Sequence, residues 1–207
     1  MKTYEEYAAE CPLVAILRGI TPDEIEPVCD ALYDGGIRLL EITLNTANAL
    51  ESIDRAVKYT AGRQLVGAGT VLKPEEVDQV AAHSGKFIIS PNTDPAVIRR
   101  TKELGLVSIP GFFTPTEAFI AISAGADYLK CFPCGRFGAG YIKDLKAVVS
   151  KPVYAVGGVD RNNLASFFPL CVGAGIGSAL FKPGKSMEQI RIDALNMVEI
   201  WKKAAEK

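Results

Sequence analysis

A lysine stands inside an apolar stretch, Asp127-Tyr-Leu-Lys-Cys-Phe-Pro133. Lysine is seldom fully buried without a partner. If the end of this stretch is open, the Lys130 stem can lie on apolar surface and its ammonium can reach water. If it is closed, desolvation lowers the pKa. A lysine deprotonated in this way can attack a carbonyl and form a Schiff base. An edge-strand lysine facing water, or one half of an internal ion pair, would explain the residue without chemistry. A carboxylate poses the same problem. Glu41 lies between Leu40 and Ile42. Pointing inward, it needs a partner, and Lys130 and Arg18 are the candidates. Glu41 is either one member of a buried ion pair or a general acid/base beside an amine nucleophile. Imine chemistry needs such a group to carry protons to and from the carbinolamine and the carbon next to the imine.

Glycines form another constellation: Gly157-Gly158, then Gly175 and Gly177 with Ser178. Glycine runs also make ordinary tight turns. At two neighbouring strand ends, however, their exposed N–H groups suit an anion such as phosphate. Cys131-Phe-Pro-Cys134 has C-x-x-C spacing but opens no clear helix, as a thioredoxin-type motif would. Zinc would need further ligands at suitable spacing. The one histidine, His83, reads as exposed or as a helix C-terminal cap. Trp201 and Met197 read as the packed face of the last helix.

The elements that must position these residues alternate along the chain. A short helix is expected from about Lys2 to Glu10. Strands are expected at Pro12 to Leu17, Arg38 to Leu44, Gln64 to Ala68, Lys86 to Ser90, Leu106 to Pro110, Asp127 to Phe132, Pro152 to Val156 and Cys171 to Ala174. A helix follows each. Thr21-Pro-Asp-Glu24 and Thr114-Pro-Thr-Glu117 are helix starts with capping boxes. Asn45 or Thr46 is expected to cap the helix that ends near Gly62, and Tyr141 to Val149, Arg161 to Phe168 and Ser186 to Ala205 read as helical. The strands are apolar nearly throughout, as when both faces are covered. No strand runs through a G-x-G-x-x-G into a helix, which disfavours a dinucleotide-binding open sheet. Eight strand–helix units at intervals of roughly 20 to 25 residues favour a closed (β/α)8 TIM barrel, a compact one with an additional N-terminal helix. Such a barrel carries its chemistry at the C-terminal ends of the strands, with phosphate after strands seven and eight.

The 207 residues are 48% hydrophobic, enough for one core, and nothing divides the span 1–207 into more than a single domain. Net charge is −1, with no basic stripe or arm for nucleic acid. No apolar run approaches the ~20 residues that span a bilayer, and the charged start is unlike a signal peptide. Five scattered cysteines fit a reducing, cytoplasmic setting.

Leu13-Val-Ala-Ile-Leu-Arg-Gly19, Glu41-Ile-Thr-Leu-Asn45, Gly67-Ala-Gly-Thr-Val-Leu72, Tyr128-Leu-Lys-Cys-Phe-Pro133 and Ala155-Val-Gly-Gly158 together resemble the 2-keto-3-deoxy-6-phosphogluconate aldolase family. The resemblance runs from about Tyr7 to the final helix, with the motifs in family order. It implies a class I, Schiff-base aldolase that needs no cofactor and no metal, has a (β/α)8 fold and is usually trimeric. By that resemblance Lys130 is the Schiff-base lysine and Glu41 the general acid/base. Arg18 and Thr70 hold the pyruvate carboxylate, and Pro91 and Phe132 pack around the pyruvyl group. Gly157, Gly158, Gly177 and Ser178 form the phosphate site.

Asn45 and Val156 resemble the branch that cleaves the C4 epimer, 2-dehydro-3-deoxy-6-phosphogalactonate; the gluconate branch usually has Arg and Thr there. Phe137 to Val148 and Gly173 to Ser178 point the same way. Thr43 instead matches the gluconate branch, and Cys134-Gly-Arg136 replaces a small-residue run, so that Arg136 either touches phosphate or faces solvent. The expected reaction is cleavage of the galactonate epimer to pyruvate and D-glyceraldehyde 3-phosphate. The alternatives are the gluconate epimer, an added 4-hydroxy-2-oxoglutarate activity, a non-catalytic sugar-phosphate-binding barrel, and a phosphate-binding isomerase or epimerase.

Overall fold

The computed structural model describes residues 2–206. Nine parallel strand segments form one sheet: β1 (Leu13–Ile16), β2 (Leu39–Thr43), β3 (Leu65–Gly69), β4 (Phe87–Ile89), β5 (Val107–Ile109), β6 (Gly111–Phe112), β7 (Leu129–Cys131), β8 (Val153–Val156) and β9 (Gly173–Ile176). They lie in the order β5-β4-β3-β2-β1-β9-β8-β7-β6. The two ends of that order, β5 and β6, are consecutive in the chain, with only Pro110 between them. The chain itself therefore closes the ring, and β5 and β6 are halves of one barrel strand. Proline has no N–H to give the ladder, which accounts for the break. The (β/α)8 barrel expected from the sequence is present, with its fifth strand split.

Around it run α1 (Tyr4–Glu10), α2 (Ile25–Asp34), α3 (Ala49–Thr60), α4 (Pro74–Ala82), α5 (Pro95–Glu103), α6 (Pro115–Ser123), α7 (Gly138–Lys146), α8 (Leu164–Phe167) and α9 (Met187–Ala205). Both capping boxes form: Thr21 with Glu24, and Thr114 with Glu117. The first closes a 3-10 turn, Pro22–Glu24, before α2 proper. His83 is the C-cap of α4, its Nδ1 2.8 Å from the Gln79 carbonyl. Three expectations need correction. Neither Asn45 nor Thr46 caps α3, which starts behind Asn48 at φ 55. The last strand lies at Gly173–Ile176 rather than Cys171 to Ala174, and α7 begins at Gly138 rather than Tyr141.

Strand alternation sorts the side chains into two layers. Outward residues such as Leu40, Ile42, Leu129 and Ala155 join the core between strands and helices. Inward ones, among them Val14, Leu39, Leu65, Phe87 and Tyr154, fill the barrel. The N-terminal end of the barrel is plugged by α1, whose Tyr4 and Tyr7 belong to that inner cluster. Tyr4 meets Phe87 edge-on with centroids 5.6 Å apart, and Tyr128 at 5.2 Å. Such aromatic pairs add about 0.5–1.5 kcal/mol each beyond area burial. Room for these rings comes from glycine: a Cβ on Gly67 would overlap Phe87, and one on Gly173 would overlap Tyr154.

Candidate active site

Alternation along β7 points Tyr128, Lys130 and Phe132 into the barrel. Tyr128 and Tyr154, edge-to-face at 5.6 Å, belong to the aromatic floor. Lys130 is in register with Tyr154 on β8 and lies one layer above Tyr128. The same rule points Leu39, Glu41 and Thr43 inward from β2. Glu41 is in register with Ile16 on β1 and Gly67 on β3. Both ionisable groups are therefore carried on rigid strands inside the ring, with Lys130 5% and Glu41 1% exposed.

Burial determines their titration. It pushes the Lys130 ammonium below its usual range; the Glu41 charge opposes this and the Arg18 charge reinforces it. Burial likewise pushes the Glu41 carboxyl up, against the pull of Lys130 and Arg18. The two groups feel each other's charge without forming a direct ion pair among the described residues. The Lys130 Nζ also stands 5.0 Å from the centroid of the Phe132 ring. An amine with weakened hold on its proton, beside a carboxyl with strengthened hold, is the combination that amine nucleophile and proton-transfer chemistry calls for.

Lys130 opens into a pocket of about 620 Å³ at the C-terminal ends of the strands. Its lining brings together Arg18, Lys130, Phe132, Val156, Gly157, Gly158, Gly177 and Ser178. Gly157 and Gly158 take φ 90 and φ 75, both in the region that favours glycine. A Cβ on Gly157 would press on the Phe132 ring and the Pro133 backbone. The N–H groups of Gly158, Gly177 and Ser178 meet no protein acceptor among the described residues. They form a set of backbone donors at one end of the pocket, suited to an anion.

Other expected site residues lie off this lining. Glu41 stands behind it in the barrel. Asn45 is exposed after β2. Thr70 follows β3 directly at φ 58, a left-handed conformation that costs a β-branched residue about 1–3 kcal/mol. Pro91 follows Ser90, whose Oγ donates to the Val71 carbonyl at 2.7 Å. Arg136 is exposed and does not line the pocket. Cys131 and Cys134 are free and buried. Among the described residues no group of three or more His, Cys, Asp or Glu is placed to hold a metal ion.

Sequence reasoning missed Lys182, Phe181 and Pro183, which also line the pocket. Their only signal is closeness to Ser178 in the chain. It also missed what Thr46 does. Thr46 Oγ1 accepts the Gly19 N–H at 2.9 Å and lies 3.0 Å from Thr43 Oγ1. This buried clasp ties the loop carrying Arg18 to β2.

Comparison with known proteins bears on what such a site belongs to. Residues 4–198 match the family model described as KDPG and KHG aldolase. The chain belongs to the KDPG and KHG aldolase family. A 2-dehydro-3-deoxy-6-phosphogalactonate aldolase of Escherichia coli (strain K12) is 44% identical over 97% of this chain and 100% of its own length. A probable enzyme of the same description from Rhizobium meliloti (strain 1021) is 43% identical over 90% of this chain and 89% of its own. A solved structure described as native KDPGal matches with a TM-score of 0.93 at 44% identity, covering 96% of this chain and 98% of that one. As an aldolase of this family, the chain is a Schiff-base carbon–carbon lyase. It splits a phosphorylated keto-deoxy sugar acid into pyruvate and a triose phosphate, and it groups with the phosphogalactonate branch.

Proposed function

We propose that the substrate is 2-dehydro-3-deoxy-6-phosphogalactonate, cleaved reversibly to pyruvate and D-glyceraldehyde 3-phosphate, with Lys130 as nucleophile and Glu41 as proton carrier. The observation that carries these roles is a buried amine above an aromatic floor, beside a buried carboxyl, in a pocket whose far end offers unpaired backbone N–H groups. Lys130 attacks the C2 ketone, and loss of water gives an iminium ion. Glu41, directly or through one water, takes the C4 hydroxyl proton. The C3–C4 bond breaks, its electrons pass into the iminium, and the aldehyde leaves. The enamine on Lys130 is protonated at C3, and hydrolysis releases pyruvate and the free amine. Arg18 and Thr70 hold the carboxylate, Pro91 and Phe132 enclose the pyruvyl group, and Gly157, Gly158, Gly177 and Ser178 hold the phosphate.

Two observations support the galactonate epimer. Val156 lines the pocket and has no hydroxyl to offer the substrate. Thr43, which matches the gluconate branch, already has its hydroxyl engaged with Thr46. A site reads an epimer by pairing one hydroxyl or leaving it unpaired. Asn45, on the same face of the molecule, is the second specificity position. The test is kcat/KM on both purified epimers, then on Val156→Thr. A preference for the gluconate epimer in the unmodified enzyme would overturn the choice.

Self-association as a homotrimer belongs to the same proposal. Phe119 and Ile120 on α6 are 49% and 42% exposed, beside Pro95 and Ala124, an apolar patch that association would cover. Sedimentation tests it. The whole chain is proposed to act as one barrel domain in the cytoplasm. Five free, buried cysteines suit a reducing compartment, and no described helix is long and apolar enough to cross a membrane.

A further inference from the structure

We infer that Lys182 is the cationic side chain of the phosphate end and sets the preference for phosphorylated over unphosphorylated substrates. The inference rests on the reading of the glycine cluster as that end. The lining holds three basic side chains, Arg18, Lys130 and Lys182, and no acidic one. Lys130 sits deep on the barrel axis. Arg18 acts on the same inner pair, since its charge is felt by both Lys130 and Glu41. Lys182 alone follows directly from the run that carries Gly177 and Ser178.

The backbone at Lys182 is held from both sides. Leu180 and Phe181 donate their N–H groups to the Gly177 carbonyl at 2.8 and 2.9 Å, and Phe181 is buried. On the other side, Lys185 N–H donates to the Lys182 carbonyl at 3.1 Å. The Lys185 ammonium clamps the Ala179 and Leu180 carbonyls at 2.8 Å each and pairs with Asp193 at 2.5 Å. Pro183 packs on Gly19, where a Cβ would come within 3.0 Å of its Cγ.

The two neighbouring lysines therefore differ in kind. Lys185 is a structural lysine with its own carboxylate. Lys182 has no carboxylate partner among the described residues; it is exposed and belongs to the lining of a pocket that holds no acidic side chain. Arg136, the cation that the sequence offered for this role, lies off the lining. A phosphate monoester carries about −1.5 to −2 charge at neutral pH. Backbone N–H groups give it direction and partial charge; an ammonium supplies a full point charge. Lys182 thus adds attraction that an uncharged hydroxyl at the same position would not feel.

The test uses Lys182→Met, which keeps most of the stem and removes the charge, and Lys182→Arg, which restores it. Condensation of pyruvate with D-glyceraldehyde 3-phosphate is compared with condensation of pyruvate with D-glyceraldehyde. The expected result is a fall of roughly 10-fold or more in the phosphate-over-hydroxyl ratio of kcat/KM in Lys182→Met, with loss of salt dependence, and recovery in Lys182→Arg. Binding of inorganic phosphate, followed by calorimetry, weakens in the same order. A ratio and a phosphate affinity unchanged within about twofold would overturn the inference while leaving the aldolase reading intact. If neither epimer is cleaved but phosphate binding depends on Lys182, the substrate proposal falls and this inference stands.

Discussion

Glu41 rests directly against the bare Cα of Gly69: a Cβ built there would overlap Oε1, Cδ and Cγ of the glutamate. Gly69 takes no positive φ, so its lack of a side chain matters for space rather than for backbone freedom. Gly69→Ala is therefore a probe of where Glu41 must be. The backbone accepts alanine, but the carboxyl must move. We expect kcat to fall by about 10²-fold or more, within the range for losing a positioned proton carrier, while the circular dichroism spectrum is kept. Unaltered kcat would show that turnover does not depend on this placement.

Glu41→Gln keeps the shape and removes the titration. It should lower kcat by roughly 10²–10⁴-fold and change KM much less, because proton transfer belongs to the transition state. Replacing a buried carboxyl that makes no direct ion pair should also leave stability little changed. A variant with normal turnover would make Glu41 a structural group.

The barrel was legible in the sequence because its signals are local. Apolar strands, Thr-Pro-x-Glu helix starts and glycine stops all act within one turn, and Lys130 and Glu41 stand out against apolar neighbours. The fifth strand, expected to end at Pro110, instead continues beyond it through Gly111–Phe112. What could not be read depends on partners distant in the chain. Thr46 sits where a helix cap belongs but instead holds Gly19 across β1 and β2. The space that Gly69 gives Glu41 exists only once β2 and β3 are in register. The aromatic floor below Lys130 includes Tyr4, far away in the chain, which packs on Tyr128. Lys182 follows a strand whose end the sequence placed two residues too early.

The depressed Lys130 pKa gives a sign to pH dependence. Between that value and the ordinary 10.5, the unfolded chain holds a proton that the folded chain has lost. Unfolding free energy therefore rises with pH through this window. Below it, both states are protonated and the cost of the buried charge is fully present. Lys130→Met removes that cost. Its stability advantage over the unmodified protein should be largest below the depressed pKa and shrink as pH rises from there toward 10.5, by about 1.4 kcal/mol per unit of pKa depression. Denaturant titrations at a series of pH values measure it; a difference that stays flat with pH would contradict the assignment of a desolvated lysine.

Thr46→Val keeps the shape of the clasp but removes the acceptor for the Gly19 N–H. A buried group left unpaired costs about 1–3 kcal/mol. The Arg18 loop should loosen, and KM for the keto acid should rise more than kcat falls, with Thr46→Ser restoring both. If Thr46→Val has the kinetics of the unmodified enzyme, the clasp does not position Arg18.

The most direct test of the account is to trap the imine. Incubation with pyruvate and borohydride, followed by peptide mass mapping, should place a reduced pyruvyl adduct on Lys130 and abolish activity in proportion to labelling. Lys130→Met should take up no label. An adduct on another lysine, or undiminished activity and no adduct after treatment, would contradict the claim that Lys130 is the nucleophile.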